Sequence, residues 1–91
     1  MSDDIPIAVV GLGHRGLLWL ERLQQAGGYR VVALCDPIEA LHGPAMQALT
    51  QRDGVRTYTA VDDVLADDNV DAVALCVRSR DQGALAARAL T

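Results

Sequence analysis

Apolar and polar residues alternate along the chain in blocks that predict strands and helices in turn. Two nearly continuous apolar runs, IPIAVV at 5–10 and RVVALC at 30–35, are typical of strands buried on both faces. Between them, leucines recur at helical spacing and predict a helix over 14–26. The glycine pair at 27–28 predicts the end of that helix, because glycine readily adopts the left-handed conformation found there.

The second half of the chain repeats this alternation in shorter segments. The predicted elements are a turn near 38–42, a helix at 44–52, a strand at 55–58, one or two helical turns over 61–65, a strand at 70–77 and a last helix starting near 79–82. The fold class is therefore α/β, with at least four parallel strands and helices on both faces. Right-handed crossovers predict a doubly wound sheet of strand order 3-2-1-4, whose ligand crevice lies between strands 1 and 4.

Three glycines lie in the run GLGHRG that follows the first predicted strand. Gly11, Gly13 and Gly16 have the spacing GxGxxG, and Asp36 follows the second strand. In dinucleotide-binding folds the first glycine permits a tight turn, the second admits the pyrophosphate, and the third lets helix and strand pack closely. The free N–H groups of the helix start then face the anion. Strand, loop, helix and acid together predict a dinucleotide site.

Asp36 is expected to select the cofactor. A carboxylate at the end of the second strand can accept hydrogen bonds from the adenosine ribose, whereas a 2′-phosphate would meet charge repulsion. Pro37 and Ile38 follow Asp36, and no arginine does. The sequence therefore predicts NAD in preference to NADP. The alternative, that Asp36 is a turn or cap residue before Pro37, stays open.

Other residues are expected to line the same pocket. They are Leu12, His14 and Arg15 in the loop, with Val77 and Arg78 after the fourth strand. An arginine at these positions can neutralise phosphate or hold an acidic substrate, although exposed side chains on a solvated rim remain the alternative. Cys35 and Cys76 lack the spacing of metal ligands or of a redox CxxC pair, so we expect buried, reduced thiols and no metal site.

Composition narrows the class of protein. The 91 residues are 51% hydrophobic and 22% charged, which is typical of one small globular domain. No apolar run is long enough to span a membrane, and the acidic N-terminus is unlike a signal peptide. The net charge of −4 argues against nucleic acids and anionic membranes as partners. A cytoplasmic location is the expectation.

Several stretches resemble the N-terminal domain of the glucose-fructose oxidoreductase, inositol dehydrogenase and MocA family (Gfo/Idh/MocA). They are IAVVGLGHRG, VVALCDP, NVDAVALCV and the linking YTAVDDVLADDNVDAV. The resemblance implies a Rossmann domain of an NAD(P)-dependent oxidoreductase, with Gly11, Gly13, Gly16 and Asp36 at the cofactor. Val77-Arg78 stands where the family commonly has Thr-Pro, and Gln82 stands where it often has His.

The resemblance also implies chemistry outside these residues. The family's Glu-Lys-Pro motif does not occur here, and the chain contains no lysine. We therefore expect residues 1–91 to be the first part of a dehydrogenase whose catalytic residues and substrate domain lie elsewhere. The expected substrate is a sugar- or cyclitol-like carbinol. A non-enzymatic NAD(H)-binding regulatory or redox-sensing module, and a pseudoenzyme of the same family, stay open as alternatives, as do substrate identity and a homo-oligomeric state.

Overall fold

The computed structural model describes residues 4–76, in which strands and helices alternate as the sequence predicts. The elements are β1 (Ile5–Val10), α1 (His14–Ala26), β2 (Tyr29–Cys35), a 3₁₀ turn (Glu39–Leu41), α2 (His42–Gln47), β3 (Arg56–Tyr58), α3 (Val61–Leu65) and β4 (Ala72–Leu75). The first strand and the first helix have the predicted bounds. The final helix predicted near 79–82 lies outside the described residues.

The strands form a parallel sheet of order β3-β2-β1-β4, which confirms the predicted topology. β1 is central, and its successive side chains point to opposite faces. Ile7 and Val9 pack into the larger core with α1 and α2, whereas Ala8 and Val10 pack into the smaller core beside α3. Because both faces of β1 are covered, every residue from Ile7 to Val10 is buried, and this explains the uninterrupted apolar run.

The second helix differs from the prediction at both ends. It begins at His42, so Pro44 is its third residue and not its first. A proline is tolerated there because the first N–H groups of a helix have no intrahelical partner. The helix ends at Gln47, five residues early. The Gln24 side chain of α1 donates to the carbonyl of Ala48 (2.9 Å) and accepts from the amide of Thr50 (2.8 Å), which satisfies the backbone beyond the helix end.

The remaining strand boundaries shift by one or two residues. β2 begins one residue earlier than predicted, and β3 begins one residue later because the amide of Val55 donates to Arg52 in a turn. β4 is shorter than predicted, beginning at Ala72 and ending at Leu75. Across residues 4–76, none of the helices has the length and apolar character needed to cross a bilayer.

Candidate dinucleotide-binding site

The glycine loop leaves β1 through a backbone conformation that requires glycine. Gly11 has a φ of 94°, in the left-handed region that other residues rarely adopt. Its amide donates to the carbonyl of Cys35 (2.8 Å), so the ladder between β1 and β2 continues to the turn itself. The loop is therefore held against the carboxyl end of β2, where Asp36 lies.

Gly16 brings the first turn of α1 against the loop. A Cβ at this position would overlap the carbonyl oxygen of Gly11 and would lie 2.9 Å from its carbonyl carbon. Both atoms belong to buried backbone, which cannot swing away as a flexible side chain can. The absence of a side chain at Gly16 therefore sets the close approach of helix and strand, the role predicted for the third glycine.

Gly13 differs from Gly11 and Gly16 because no other part of the described structure crowds it. Within residues 4–76, a Cβ built on Gly13 meets no atom within 4 Å, and its φ of −74° is open to any residue. Gly13 is the N-cap of the 13-residue α1, whose first turn carries no acidic residue and is not capped by a side chain of the described region. The first-turn amides and the positive end of the helix dipole thus face open space that suits an anion.

Asp36 is buried, with 7% of its surface exposed, and both carboxylate oxygens accept backbone hydrogen bonds. Oδ2 accepts from the amide of Leu12 and Oδ1 from the amide of Ile38, each at 2.8 Å. The carboxylate therefore ties the glycine loop to the end of β2. Two carboxylate oxygens offer about four lone-pair sites, so acceptor capacity remains for ribose hydroxyls. The turn role and the ribose role are compatible at one residue.

The backbone of Asp36 is held as firmly as its side chain. Its amide donates to the carbonyl of Tyr58 (3.0 Å), which extends the pairing of β2 and β3 by one residue. Its carbonyl lies 2.8 Å from Nε2 of His42, the first residue of α2. Neither contact is indicated by the sequence. No spacing rule marks His42, and Tyr58 contributes only a main-chain oxygen.

The other loop residues contribute in different ways. The side chain of Leu12 is buried in the larger core, so only its backbone faces the site. His14 and Arg15 are exposed at the start of α1. Val77 and Arg78, predicted to line the crevice, lie outside the described residues. The described structure thus brings Gly11, Leu12, Gly13 and Gly16 together with Asp36, at the carboxyl ends of β1 and β2.

The two cysteines lie at the same end of the sheet, at the carboxyl ends of β2 and β4. Burial raises the pKa of Cys35 to about 11, and the negative charges of Asp36 and Asp63 add to this effect. Burial also raises the pKa of Cys76, and the positive charge of Arg15 opposes the rise. Neither thiol is part of a disulfide. Cys35 is buried, as predicted, whereas Cys76 is only partly buried. Within residues 4–76, no three His, Cys, Asp or Glu side chains are grouped so that they could hold a metal ion.

The fold and the glycine loop define an α/β domain of the Rossmann type. A family model described as an oxidoreductase family with an NAD-binding Rossmann fold, Gfo/Idh/MocA, matches residues 5–91, and the chain belongs to this family. The resemblance drawn from the sequence motifs is confirmed. No curated protein sequence matches the chain.

Solved structures of dehydrogenases share the fold. A probable dehydrogenase from Thermotoga maritima is 26% identical with a TM-score of 0.77, over 93% of this chain and 26% of that one. A myo-inositol dehydrogenase from Corynebacterium glutamicum ATCC 13032 is 19% identical with a TM-score of 0.78, over 96% of this chain and 25% of that one. A scyllo-inositol dehydrogenase from Lactobacillus casei, with bound NAD(H) and scyllo-inositol, is 24% identical with a TM-score of 0.67, over 94% of this chain and 26% of that one. The chain spans about a quarter of the length of each.

Proposed function

We propose that this chain is the cofactor-binding part of an NAD-dependent dehydrogenase that acts on a sugar- or cyclitol-like carbinol or carbonyl. The observation that carries the proposal is the hydrogen bond from the Leu12 amide to Asp36, because it places a buried carboxylate directly beside the open helix start at Gly13. Membership of an NAD-binding oxidoreductase family supports the cofactor, and the inositol dehydrogenases among the similar folds support the substrate class.

The pyrophosphate is assigned to the loop between β1 and α1. Gly11, Gly13 and Gly16 shape the loop, while the first-turn amides of α1 supply donors and a positive dipole end. The pyrophosphate fits this loop because residues 4–76 leave the space over Gly13 open. Even a methyl group on Gly13 would occupy part of the volume next to the amides. His14 and Arg15 are exposed at the rim, where the arginine can neutralise phosphate charge.

The adenosine ribose is assigned to Asp36. The two amides on its carboxylate fix the orientation of the acceptor oxygens, so hydroxyl donors meet a preorganised site. A 2′-phosphate would bring negative charge against this buried carboxylate, and this favours NAD over NADP. Val77 and Arg78 are proposed to line the nicotinamide side of the same crevice.

The bound dinucleotide would supply the hydride acceptor or donor, and the residues of this chain would hold and orient it. None of residues 1–91 is proposed as the catalytic acid or base. Because the matched structures are about four times as long as this chain, we propose that the catalytic residues and the substrate-binding domain belong to a further part of the protein. The similar folds give the non-enzymatic alternative no support.

The test compares two glycine-to-alanine substitutions in the full-length protein by isothermal titration with NAD. Gly13→Ala adds a methyl group in open space over the helix start, so the protein should fold normally but bind NAD at least 10-fold more weakly. Gly43→Ala adds the same group on α2, outside the glycine loop, where it meets no atom of residues 4–76 within 4 Å, and it should leave NAD affinity unchanged. Equal affinities in the parent and Gly13→Ala would refute the assignment of the pyrophosphate.

A further inference from the structure

We infer that His42 is a positioning residue for the ribose acid Asp36, and that it sets how strictly the site reads the adenosine ribose. This inference rests on the proposed function and names a residue beyond the glycine loop and the acid themselves. It depends on one contact, the 2.8 Å hydrogen bond between Nε2 of His42 and the carbonyl oxygen of Asp36.

Asp36 is fixed by hydrogen bonds at every polar group it has. Its amide, its carbonyl and both carboxylate oxygens are engaged. Within the described residues, three of the four partners are backbone groups, those of Leu12, Ile38 and Tyr58, and the fourth is the imidazole of His42. The bond from His42 is thus the one that a side-chain substitution can remove while the backbone framework stays intact.

The acceptor identifies the donor of this hydrogen bond. A carbonyl oxygen can only accept, so Nε2 of His42 carries the hydrogen and donates it. The acceptor belongs to the peptide between Asp36 and Pro37, and the proline nitrogen has no hydrogen to donate. The peptide is therefore anchored through its carbonyl, on the His42 side.

The orientation of that peptide controls the carboxylate. It sets the direction in which the chain leaves β2, and so it places the amide of Ile38 that holds Oδ1 of Asp36. Without the imidazole, the peptide can rotate, the Ile38 amide moves, and Oδ1 loses its fixed donor. The carboxylate then keeps its contact to Leu12 but no longer presents a single orientation to the ribose. Preorganisation of the acceptor is lost, and with it selectivity for the hydroxyl.

The position of His42 is well suited to this role. It is the first residue of α2, and its own amide donates to the carbonyl of Glu39. Its side chain is half-buried against the turn that joins β2 to α2. The turn is thus closed twice, once by the carboxylate on Ile38 and once by the imidazole on the carbonyl of Asp36.

The experiment measures ribose discrimination and not affinity alone. The full-length parent and its His42→Leu, His42→Asn and His42→Gln variants are titrated with NAD and with NAD lacking the 2′-hydroxyl of the adenosine ribose. Glutamine places an N–H group near the position of Nε2, whereas asparagine is too short to do so. Arg52→Leu is the matched control, because Arg52 also bonds backbone carbonyls of the α2 region, those of Leu49 and Gln47, at the far end of the helix.

We expect the parent, Arg52→Leu and His42→Gln to bind NAD more tightly than the deoxy cofactor. His42→Leu and His42→Asn should bind NAD roughly 3- to 10-fold more weakly, the size expected from one hydrogen bond, with the discrimination between the two cofactors reduced toward unity. A residue with only a structural role would lower stability and leave the ratio of the two affinities unchanged. The asparagine and glutamine variants decide the matter if the leucine variant does not fold.

The outcomes separate the inference from the function on which it rests. Failure of the parent to bind NAD overturns the proposed function. A parent that binds NAD and discriminates, together with His42 variants that retain the parental ratio, overturns the role of His42 alone. A parent that binds NAD and the deoxy cofactor equally also overturns this inference, because Asp36 would then not read the ribose hydroxyl.

Discussion

The amide of Leu12 donates a 2.8 Å hydrogen bond to Oδ2 of Asp36, across 24 residues of sequence. This contact makes the glycine loop and the acid after β2 one structural unit. Because Oδ1 is held by Ile38 in the same way, the carboxylate of Asp36 acts both on the shape of the loop and on the ligand proposed to bind beside it.

Substitution of Asp36 should therefore affect stability and cofactor choice together. Asp36→Asn replaces one acceptor oxygen with an NH₂ group, which leaves a backbone N–H in this buried site without an acceptor. We expect a loss of about 1–3 kcal/mol in the free energy of unfolding. NAD affinity should fall, and NADP affinity should fall less because the charge repulsion is gone. Urea denaturation and cofactor titration measure the two effects.

Asp53→Asn is the control for this substitution. Asp53 is exposed near the amino ends of the strands, beside Arg30, at the end of the sheet opposite Asp36. It should leave both stability and the ratio of NAD to NADP affinity near the parental values. An Asp36→Asn protein with parental stability would show that the hydrogen bonds to Leu12 and Ile38 do not contribute.

Gly16→Ala should destabilise the fold although it adds only a methyl group. The new Cβ would overlap the backbone of Gly11, so α1 must move away from β1. Overpacking of this kind typically costs about 1–3 kcal/mol. Thermal or chemical denaturation should show this loss in Gly16→Ala and not in Gly13→Ala, whose added Cβ meets open space. Equal stability of the two variants would contradict the close packing seen at Gly16.

Alkaline pH should weaken the fold through Cys35. Burial raises the pKa of this thiol to about 11 from an ordinary value of 9.0. The contribution of Cys35 to the free energy of unfolding is complete below pH 9, where the thiol is neutral in the folded and the unfolded protein. It is lost as the pH rises toward 11, because in this range the thiol ionises readily only in the unfolded chain. Parent and Cys35→Ala should therefore differ less in unfolding free energy at pH 10.5 than at pH 8. A difference that does not change with pH would refute this linkage.

Acidic pH should act through Asp67. Its side chain is 3% exposed, and it accepts from the hydroxyl of Tyr58 (2.7 Å) and the amide of Asn69 (2.9 Å), with Arg56 at 3.7 Å. The hydrogen bond from Tyr58, followed by that from Asn69, lowers the pKa of Asp67 below its ordinary 3.8. The contribution of ionised Asp67 to the free energy of unfolding is present at pH values above the ordinary pKa of 3.8. It is lost as the pH falls through the lowered pKa of the folded protein.

Tyr58→Phe tests this linkage because it removes the hydroxyl and retains the ring. The variant should lose less stability than the parent when the pH is lowered from 5 to the acid transition, as followed by urea denaturation at a series of pH values. Tyr29→Phe is the control, because Tyr29 is 40% exposed at the start of β2, and it should follow the parental pH profile. Identical profiles for Tyr58→Phe and the parent would exclude the Tyr58 bond as the cause.

Much of the fold follows from local sequence pattern. The bounds of β1 and α1, the parallel sheet and its strand order, and the glycine loop were all predicted, because apolar periodicity and glycine spacing report directly on burial and backbone conformation. The end of α2 was predicted wrongly. The Gln24 side chain of α1 bonds the backbone at Ala48 and Thr50, and nothing in the sequence around 44–52 indicates that a residue more than 20 positions earlier will do so.

The sequence by itself determined where the chain turns, which strands are buried and which acid lies at the end of β2. Only the tertiary structure decided that Asp36 holds the glycine loop through Leu12, and that His42 holds Asp36 in turn. The physical reason is that these bonds join side chains to backbone groups on other elements. Their partners are set by the register between β1 and β2 and by the turn into α2, neither of which leaves a periodic signal in the sequence.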